Sequence, residues 1–260
     1  LQHIGYDRRQ LRLALVSDEE TGHSLSQMAS VEFLERHAQG CGAAFTFESG
    51  LLNGDIVTGR KGGGVIRLTV EGIASHCGTA PEKGASAVRE AARKVVAIQA
   101  LSDPAHTTFN CGIIHGGTSA NVVPDRCEVS VALRFHTNRD RDEALSALQS
   151  ICGRVETPGT QCTLSPLAGF PAMEETDRTA ALFALYRETS TALGLGTPES
   201  VYSAGCSDSA YTTALGIPTL CAVGVLGQGQ HSPDEHAFAD SLLPQAKRLA
   251  AAILALPDDF

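Results

Sequence analysis

Gly59-Arg60-Lys61-Gly62-Gly63-Gly64-Val65-Ile66-Arg67-Leu68-Thr69-Val70 is the stretch on which the reading of the fold turns. Residues 65–70 alternate between apolar and polar side chains, as a half-buried strand does. Downstream, residues 85–101 carry a helical period, 107–115 and 127–136 read as strands, 139–155 as a second helix and 161–167 as a last strand. The order β-α-β-β-α-β is the split βαβ arrangement of ferredoxin-like modules, so a self-contained insert is expected over residues 59–168. Gly62-Gly63-Gly64 lacks the Lys-Ser/Thr ending of a phosphate-binding loop and reads as a hinge. Arg60-Lys61 beside it reads as a short solvated charge run.

Outside the insert the texture is α/β. Residues 11–16 alternate and then run apolar, which predicts a partly buried strand ending at Ser17-Asp18-Glu19-Glu20-Thr21-Gly22. A helix is expected over 24–37, with Ser24 or Ser26 as its cap, and a short strand over 43–47. After Phe170 the expected order is a helix over 179–193, a strand over 200–203, a helix over 207–215, a strand over 219–225 and a closing helix over 235–256. The chain therefore divides into 1–58 and 169–260, two parts of one α/β domain, interrupted by 59–168.

Composition narrows the function. The 260 residues are 43% hydrophobic, enough for a packed core, and carry a formal charge of −9. That charge argues against nucleic acid and anionic membrane as partners, both of which select basic surfaces. The longest apolar run, residues 249–256, is far short of a membrane span, and no basic-then-apolar leader opens the sequence. A cytoplasmic location is the expectation. The eight cysteines, at 41, 77, 111, 127, 152, 162, 206 and 221, form no Cys-x-x-Cys pair and read as thiols in a reducing compartment.

Three places carry metal-capable side chains. Asp18-Glu19-Glu20 follows the expected strand 11–16, where open α/β sheets collect ligands; alone, such a triplet is commonly a solvated helix cap. Glu48 follows the strand 43–47, and His231 follows the strand 219–225. Carboxylates and a neutral imidazole are the donors a catalytic zinc accepts. Adjacent carboxylates suit the chemistry further, because one can bind metal while its neighbour moves protons.

These residues sit within a longer pattern. Asp18-Glu-Glu-Thr-Gly22, Val57-Thr-Gly-Arg-Lys-Gly62, Ala74-Ser-His76, Gly116-Gly-Thr118, Asn121-Val-Val-Pro124, Ser207-Asp208, Gly216-Ile-Pro218 and His231-Ser-Pro-Asp-Glu235 occur in this order. Together they resemble the dinuclear zinc metallopeptidase family of glutamate carboxypeptidase, aminoacylase, acetylornithine deacetylase and succinyl-diaminopimelate desuccinylase. The Arg-Lys-Gly and Asn-Val-Val-Pro blocks look most like the glutamate-carboxypeptidase branch. The resemblance implies an α/β zinc-hydrolase catalytic domain interrupted by a ferredoxin-like dimerisation and lid domain, working as a homodimer through residues 59–168. It implies two Zn2+ per complete site, with Co2+ or Mn2+ as alternatives, and an amino-acid-derived small-molecule substrate. Glu19 would be the general base. Glu20 and His231 would bind one zinc, and Glu48 the second. His76 would reach the partner's site and support the oxyanion, while Asn121 and Arg134 would hold a substrate carboxylate. Asp208 would shape the loop beside the site or cap the next helix, and Glu235 would support His231 or simply begin a helix.

The pattern also departs from the family. Its remaining ligands, a histidine in His-x-Asp and a bridging aspartate, belong upstream of the acidic turn. The eighteen residues before Glu19 hold no His-x-Asp, and His3 and Asp7 lack the spacing. The chain is accordingly expected to miss an N-terminal part and to be inactive alone. His23 stands where a small residue is expected after Thr-Gly, and Ala222-Val223 where this branch often has Gly-Leu. Two other functions compete with amide hydrolysis: hydrolytic deamination at the same metal site, and an inactive truncated binding and dimerisation module.

Overall fold

The computed structural model describes residues 10–258 and 260. His3 and Asp7 lie outside them. In chain order the elements are α1 (Ala29–Ala38), β1 (Ala44–Thr46), β2 (Ile56–Arg60), β3 (Gly62–Glu71), β4 (Ser75–His76) and α2 (Ala87–Gln99). There follow β5 (Thr107–Gly116), β6 (Val122–Val123), β7 (Arg126–Phe135), α3 (Asn138–Gly153), β8 (Gln161–Leu164) and β9 (Ala168–Phe170). The last are α4 (Asp177–Ala192), β10 (Ser200–Ser203), α5 (Ser209–Ala214), β11 (Thr219–Cys221), β12 (Gly227–Gln228), β13 (His236–Ala237) and α6 (Leu242–Ala255). Residues 1–60 with 171–260 make one compact unit, and residues 61–170 a second. No helix among the described residues is long and apolar enough to cross a membrane.

The second unit is the expected βαββαβ module. Its sheet runs β5-β7-β3-β8, with every pair antiparallel. Counted in chain order, that is second, third, first, fourth strand, the ferredoxin-like order. Strand β7 shows why the sequence was readable. Cys127, Val129, Val131, Leu133 and Phe135 are buried on one face, and the residues between them point away. Ala91 and Ile98 of α2 and Leu148 and Ile151 of α3 are buried as well. Both helices begin on side-chain caps: Ser86 accepts from the amide of Arg89, and Thr137 forms a capping box with Asp140. Inside the module Lys94 is fully buried and paired with Glu90 one turn earlier at 2.9 Å. The Glu90 carboxylate also accepts from the amide of Glu156, and the Lys94 ammonium donates to the carbonyl of Arg154.

Gly62-Gly63-Gly64 is not a hinge. All three glycines belong to β3, and at Gly63 and Gly64 Arg134 and β9 press too closely for side chains. A Cβ on Gly64 would meet the Ala168 carbonyl oxygen at 2.2 Å, and one on Gly63 would meet Arg134 at 2.6 Å. The strand expected over 161–167 breaks at Ser165-Pro166 into β8 and β9, which both pair with β3.

The first unit has a smaller sheet, ordered β1-β11-β2-β10. β1 runs parallel to β11 and β10 parallel to β2, with one antiparallel contact between β11 and β2. Alternation sorts its two faces. Ile56 and Leu220 pack with Leu182, Tyr186, Ala252 and Leu256 of the α4–α6 side, while Val57 and Cys221 pack with Met173 and Ala210.

Several expected elements in this unit differ. Residues 11–16 form no strand: they pair with no other strand among the described residues, and Leu13 and Leu15 are 78% and 82% exposed. Apolar alternation alone does not make a strand without a neighbour to hydrogen-bond. Helix α1 starts at Ala29, not near Ser24. The residue at its N-cap is Met28, without a side-chain cap bond; Ser26, three residues before the helix, gives its amide to the Asp18 carboxylate, while its hydroxyl meets the Ser30 hydroxyl and accepts from the Ser30 amide at 3.3 Å. The strand expected over 219–225 stops at Cys221, where Ala222 turns to φ +62°. The closing helix starts at Leu242, because residues 236–237 pair with 227–228 as a hairpin instead.

Candidate functional site

In the first unit the acidic triplet lies in a tight turn. Glu19–Thr21 make one 3-10 turn, closed by Gly22 at φ +61°, a conformation glycine adopts freely. The Asp18 carbonyl accepts from the amides of Thr21 and His23 and from the Thr21 hydroxyl. Asp18 is itself buried, and hydrogen bonds from the Ser26 and Ser30 side chains and the Ser26 amide hold its carboxyl well below the usual range. It anchors the turn that carries Glu19 and Glu20.

Glu19 is half-buried among like charges. Burial raises its pKa most, then the charges of Glu48, Asp208 and Glu20, against an opposing pull from Arg60; together they push it up to about 7. Glu48 arrives two residues past β1. Glu20 and His231 approach each other from distant parts of the chain, carboxylate to Nδ1, at 3.7 Å, and both are largely exposed. His231 sits in the β12–β13 hairpin turn at φ +62°, its amide donating to the Glu235 carboxylate at 3.3 Å. Glu235 thus steadies the turn that carries His231 and lies outside any helix.

Two further groups border this cluster. Asp208 immediately precedes α5, and its side chain makes no cap bond to that helix; burial pushes its carboxyl up, against the pull of His23. Arg60 is no solvated charge. It is 9% exposed and donates to the Cys221 thiol, the Ser203 hydroxyl and the Gly205 carbonyl. The signal for it lay in the apolar run before it: Arg60 ends the fully buried strand β2, where a charge has to find partners. His23, met in the sequence only as a departure, is fully buried and bonded on both ring nitrogens.

The other candidates belong to the second unit. His76 lies in β4, paired with β6, and its Nδ1 accepts from the amides of Gly78 and Thr79 at 3.1 and 3.2 Å. Two donors on Nδ1 put the ring proton on Nε2, so the neutral imidazole presents an N–H outward. Asn121 is adjacent, its carbonyl accepting from the Cys77 amide and its side-chain oxygen from Ser119. Arg134 is elsewhere. His76 and Asn121 lie beyond the Arg126 end of β7, while Arg134 is one residue from the other end. Eight residues of strand separate them, roughly 27 Å at about 3.4 Å per residue. Within one chain Asn121 and Arg134 therefore do not converge on a single carboxylate. The strand expected over 127–136 already implied this, whereas the motifs alone give only order along the chain.

Zinc tests the cluster in the first unit. A catalytic zinc takes three protein donors. Glu20 and His231 approach closely enough to offer an ion two donors and Glu48 would offer a third elsewhere, but no group of three metal-capable side chains converges among the described residues. The donor chemistry suits zinc, but the number of donors does not complete a site.

Comparisons with known proteins agree with this architecture. Residues 58–160 match the peptidase dimerisation domain of the M20 group. The chain is similar to carboxypeptidase G2 of Pseudomonas sp. (strain RS-16), with 26% identity over 245 residues, covering 92% of this chain and 57% of that protein. Its fold is shared with aminopeptidase PepT of Bacillus cereus ATCC 10987 (TM-score 0.71, 22% identity, 89% of this chain and 61% of that one). A tripeptidase of Staphylococcus aureus has a TM-score of 0.70 at 21% identity, covering 88% of this chain and 61% of that one. The chain spans just over half the length of the curated relatives it matches. Residues 58–160 thus carry the M20 peptidase dimerisation domain, and the chain as a whole is similar to carboxypeptidase G2 and shares the fold of the two peptidases.

Proposed function

We propose that this chain acts in the hydrolysis of an amide or peptide C–N bond next to a substrate carboxylate. The observation that carries this reading is the company of Glu19: a half-buried carboxyl beside Glu20, Glu48 and Asp208, with His231 against Glu20. A carboxyl whose pKa stands near neutrality can take a proton from attacking water and return it to the leaving nitrogen. His76, with its outward Nε2–H, would face the oxyanion that develops on the carbonyl. Arg134 would fork onto the substrate carboxylate. Because His76 and Asn121 lie far from Arg134 within one chain, a site using all three draws them from two chains, which suits a homodimer through the second unit. The names of the relative and of the two solved structures, a carboxypeptidase, an aminopeptidase and a tripeptidase, are all those of peptidases.

Peptidases of the M20 family are generally metal-dependent, commonly on zinc. Since the described residues fall short of a zinc site, no step is derived through the metal. The same shortfall supports one other reading, a non-catalytic binding and dimerisation module.

The test is to offer the purified full-length protein N-acyl amino acids and dipeptides, with and without added zinc, and to assay free amino acid and ammonia separately. Release of amino acid, abolished by Glu19→Gln, is the expected result. Release of ammonia would turn the reading to deamination. No release, together with no zinc uptake by calorimetry, would leave the binding module in place of the enzyme.

A further inference from the structure

The acidic turn is tied to a distant part of the chain through a single side chain. His23 is fully buried, yet its backbone sits at φ +60°, a region that disfavours a residue with a side chain. Nε2 lies 2.7 Å from Oδ1 of Asp208, which is 185 residues away in sequence. Nδ1 lies 2.8 Å from the Ser30 hydroxyl and 3.4 Å from Oδ1 of Asp18. The edge of the ring stands against Tyr211 of α5, with centroids 5.5 Å apart. The imidazole thus joins three pieces: the turn bearing Glu19 and Glu20, the start of α1, and the loop leading into α5.

We propose that His23 is a positioning residue for the proposed hydrolysis: by bridging Asp18 and Asp208 it fixes where the Glu19 carboxyl stands among Glu48, Asp208 and Glu20. This rests on Glu19 being the proton carrier. The geometry gives the tie its leverage. Glu19 directly follows Asp18, so a shift of Asp18 moves the backbone of Glu19 with it. Asp208 is also one of the charges that Glu19 senses, so releasing it changes the surroundings of Glu19 from the other side. A purely local role for His23 would need only the Asp18 side of the bridge.

Three variants separate these roles. His23→Ala removes both links. His23→Gln retains an amide N–H that can reach Asp208, and His23→Asn has one that reaches only the Ser30 and Asp18 side. Hydrogen exchange followed by mass spectrometry reads the tie without any turnover. His23→Ala should speed exchange at the amides of residues 21–23 and of Ala210 and Tyr211 together, and His23→Gln should restore slow exchange at the α5 end. Faster exchange confined to residues 21–23, or none at all, overturns the proposal.

The kinetic arm asks whether the tie matters to the reaction. Misplacement of a reacting group by about 1 Å can cost on the order of 100-fold, so His23→Ala should lower kcat by about that factor with KM within about twofold. His23→Gln should recover most of the loss, and His23→Asn little of it. A folded His23→Ala protein with the parent kcat overturns the proposal. Glu19→Gln is run alongside: if that variant is as active as the parent, the hydrolysis reading itself has failed, and the exchange data alone decide whether His23 ties the two segments.

Discussion

The two units of this chain differ in where they hold awkward backbone. Every non-glycine residue at positive φ among those described, His23, Gln27, Met28, Ala222 and His231, lies in the first unit, and none lies in the ferredoxin-like module. Two of the five, His23 and His231, are in the candidate site, and Gln27 and Met28 follow in the turns that lead from it to α1. Left-handed backbone outside glycine persists only where surrounding contacts hold it. The module shows the opposite economy: long strands, strict alternation in β7, side-chain caps on both helices and one buried ion pair. One unit is regular and self-supporting, while the other gives up regularity where its acidic cluster is assembled.

The largest effect that would sharpen this contrast is on turnover. Glu19→Gln should lower kcat by roughly 10²–10⁴, the usual share of a positioned acid–base group, without lowering stability. The sign on stability follows from the Glu19 pKa, raised from 4.5 to about 7. The fold therefore favours the protonated carboxyl. That stabilisation is fully present below about pH 4.5 and is lost as pH rises through 7. Thermal melts of the parent should show this decline between those pH values, and Glu19→Gln should flatten it. A variant that melts lower than the parent at pH 8 would show that Glu19 supports the fold, and the contrast between the units would break.

The matching experiment in the module should act on stability alone. Lys94→Met strands the Glu90 carboxylate, which is 1% exposed, and the loss expected from breaking such a buried pair is about 3–5 kcal/mol. Urea denaturation would measure it. Adding Glu90→Leu should recover much of the loss, since a buried pair replaced by apolar side chains is often no less stable. If the single substitution costs under about 1 kcal/mol, a group that is not charged when buried has been mistaken for an ion pair, and the module is less tightly built than its regularity suggests.

Legibility from sequence follows the same division. In the module, period-two alternation in β7 and the capping signals at Ser86 and Thr137 are local, and local signals survive in sequence. The split of the last strand at Ser165-Pro166 was the main thing missed there. In the first unit, β10 was readable to the residue, but residues 11–16 were not, because a strand is defined by its neighbour as much as by its own pattern. The candidate site was legible as residue types in order, Glu19, Glu20, Glu48 and His231. What could not be read was the set of groups that hold them. Arg60 looked like surface charge, and His23 looked like a mismatch, because their partners lie more than 140 and 180 residues away. The separation of Asn121 from Arg134, by contrast, was implicit in the strand expected over 127–136, whose rise of about 3.4 Å per residue carries Arg134 away from Asn121.

The smallest expected effect tests the backbone contrast directly. Met28 precedes α1 at φ +71°, is 40% exposed and offers no side-chain cap bond. Left-handed backbone costs a residue with a Cβ about 1–2 kcal/mol, whereas glycine adopts it freely but loses about 0.5–1 kcal/mol of extra chain entropy on folding. The first term exceeds the second, so Met28→Gly should stabilise the protein by up to about 1 kcal/mol in urea titrations, less whatever packing the Met28 side chain supplies. The same replacement at a half-buried strand position of the module, such as Ser130 in β7, has no strain to relieve and should destabilise by about as much. Opposite signs at the two positions would place stored strain in the unit that carries the candidate site. A loss at Met28 comparable to that at Ser130 would mean that the side chain there contributes more than the backbone costs, and that positive φ in this unit is no measure of strain.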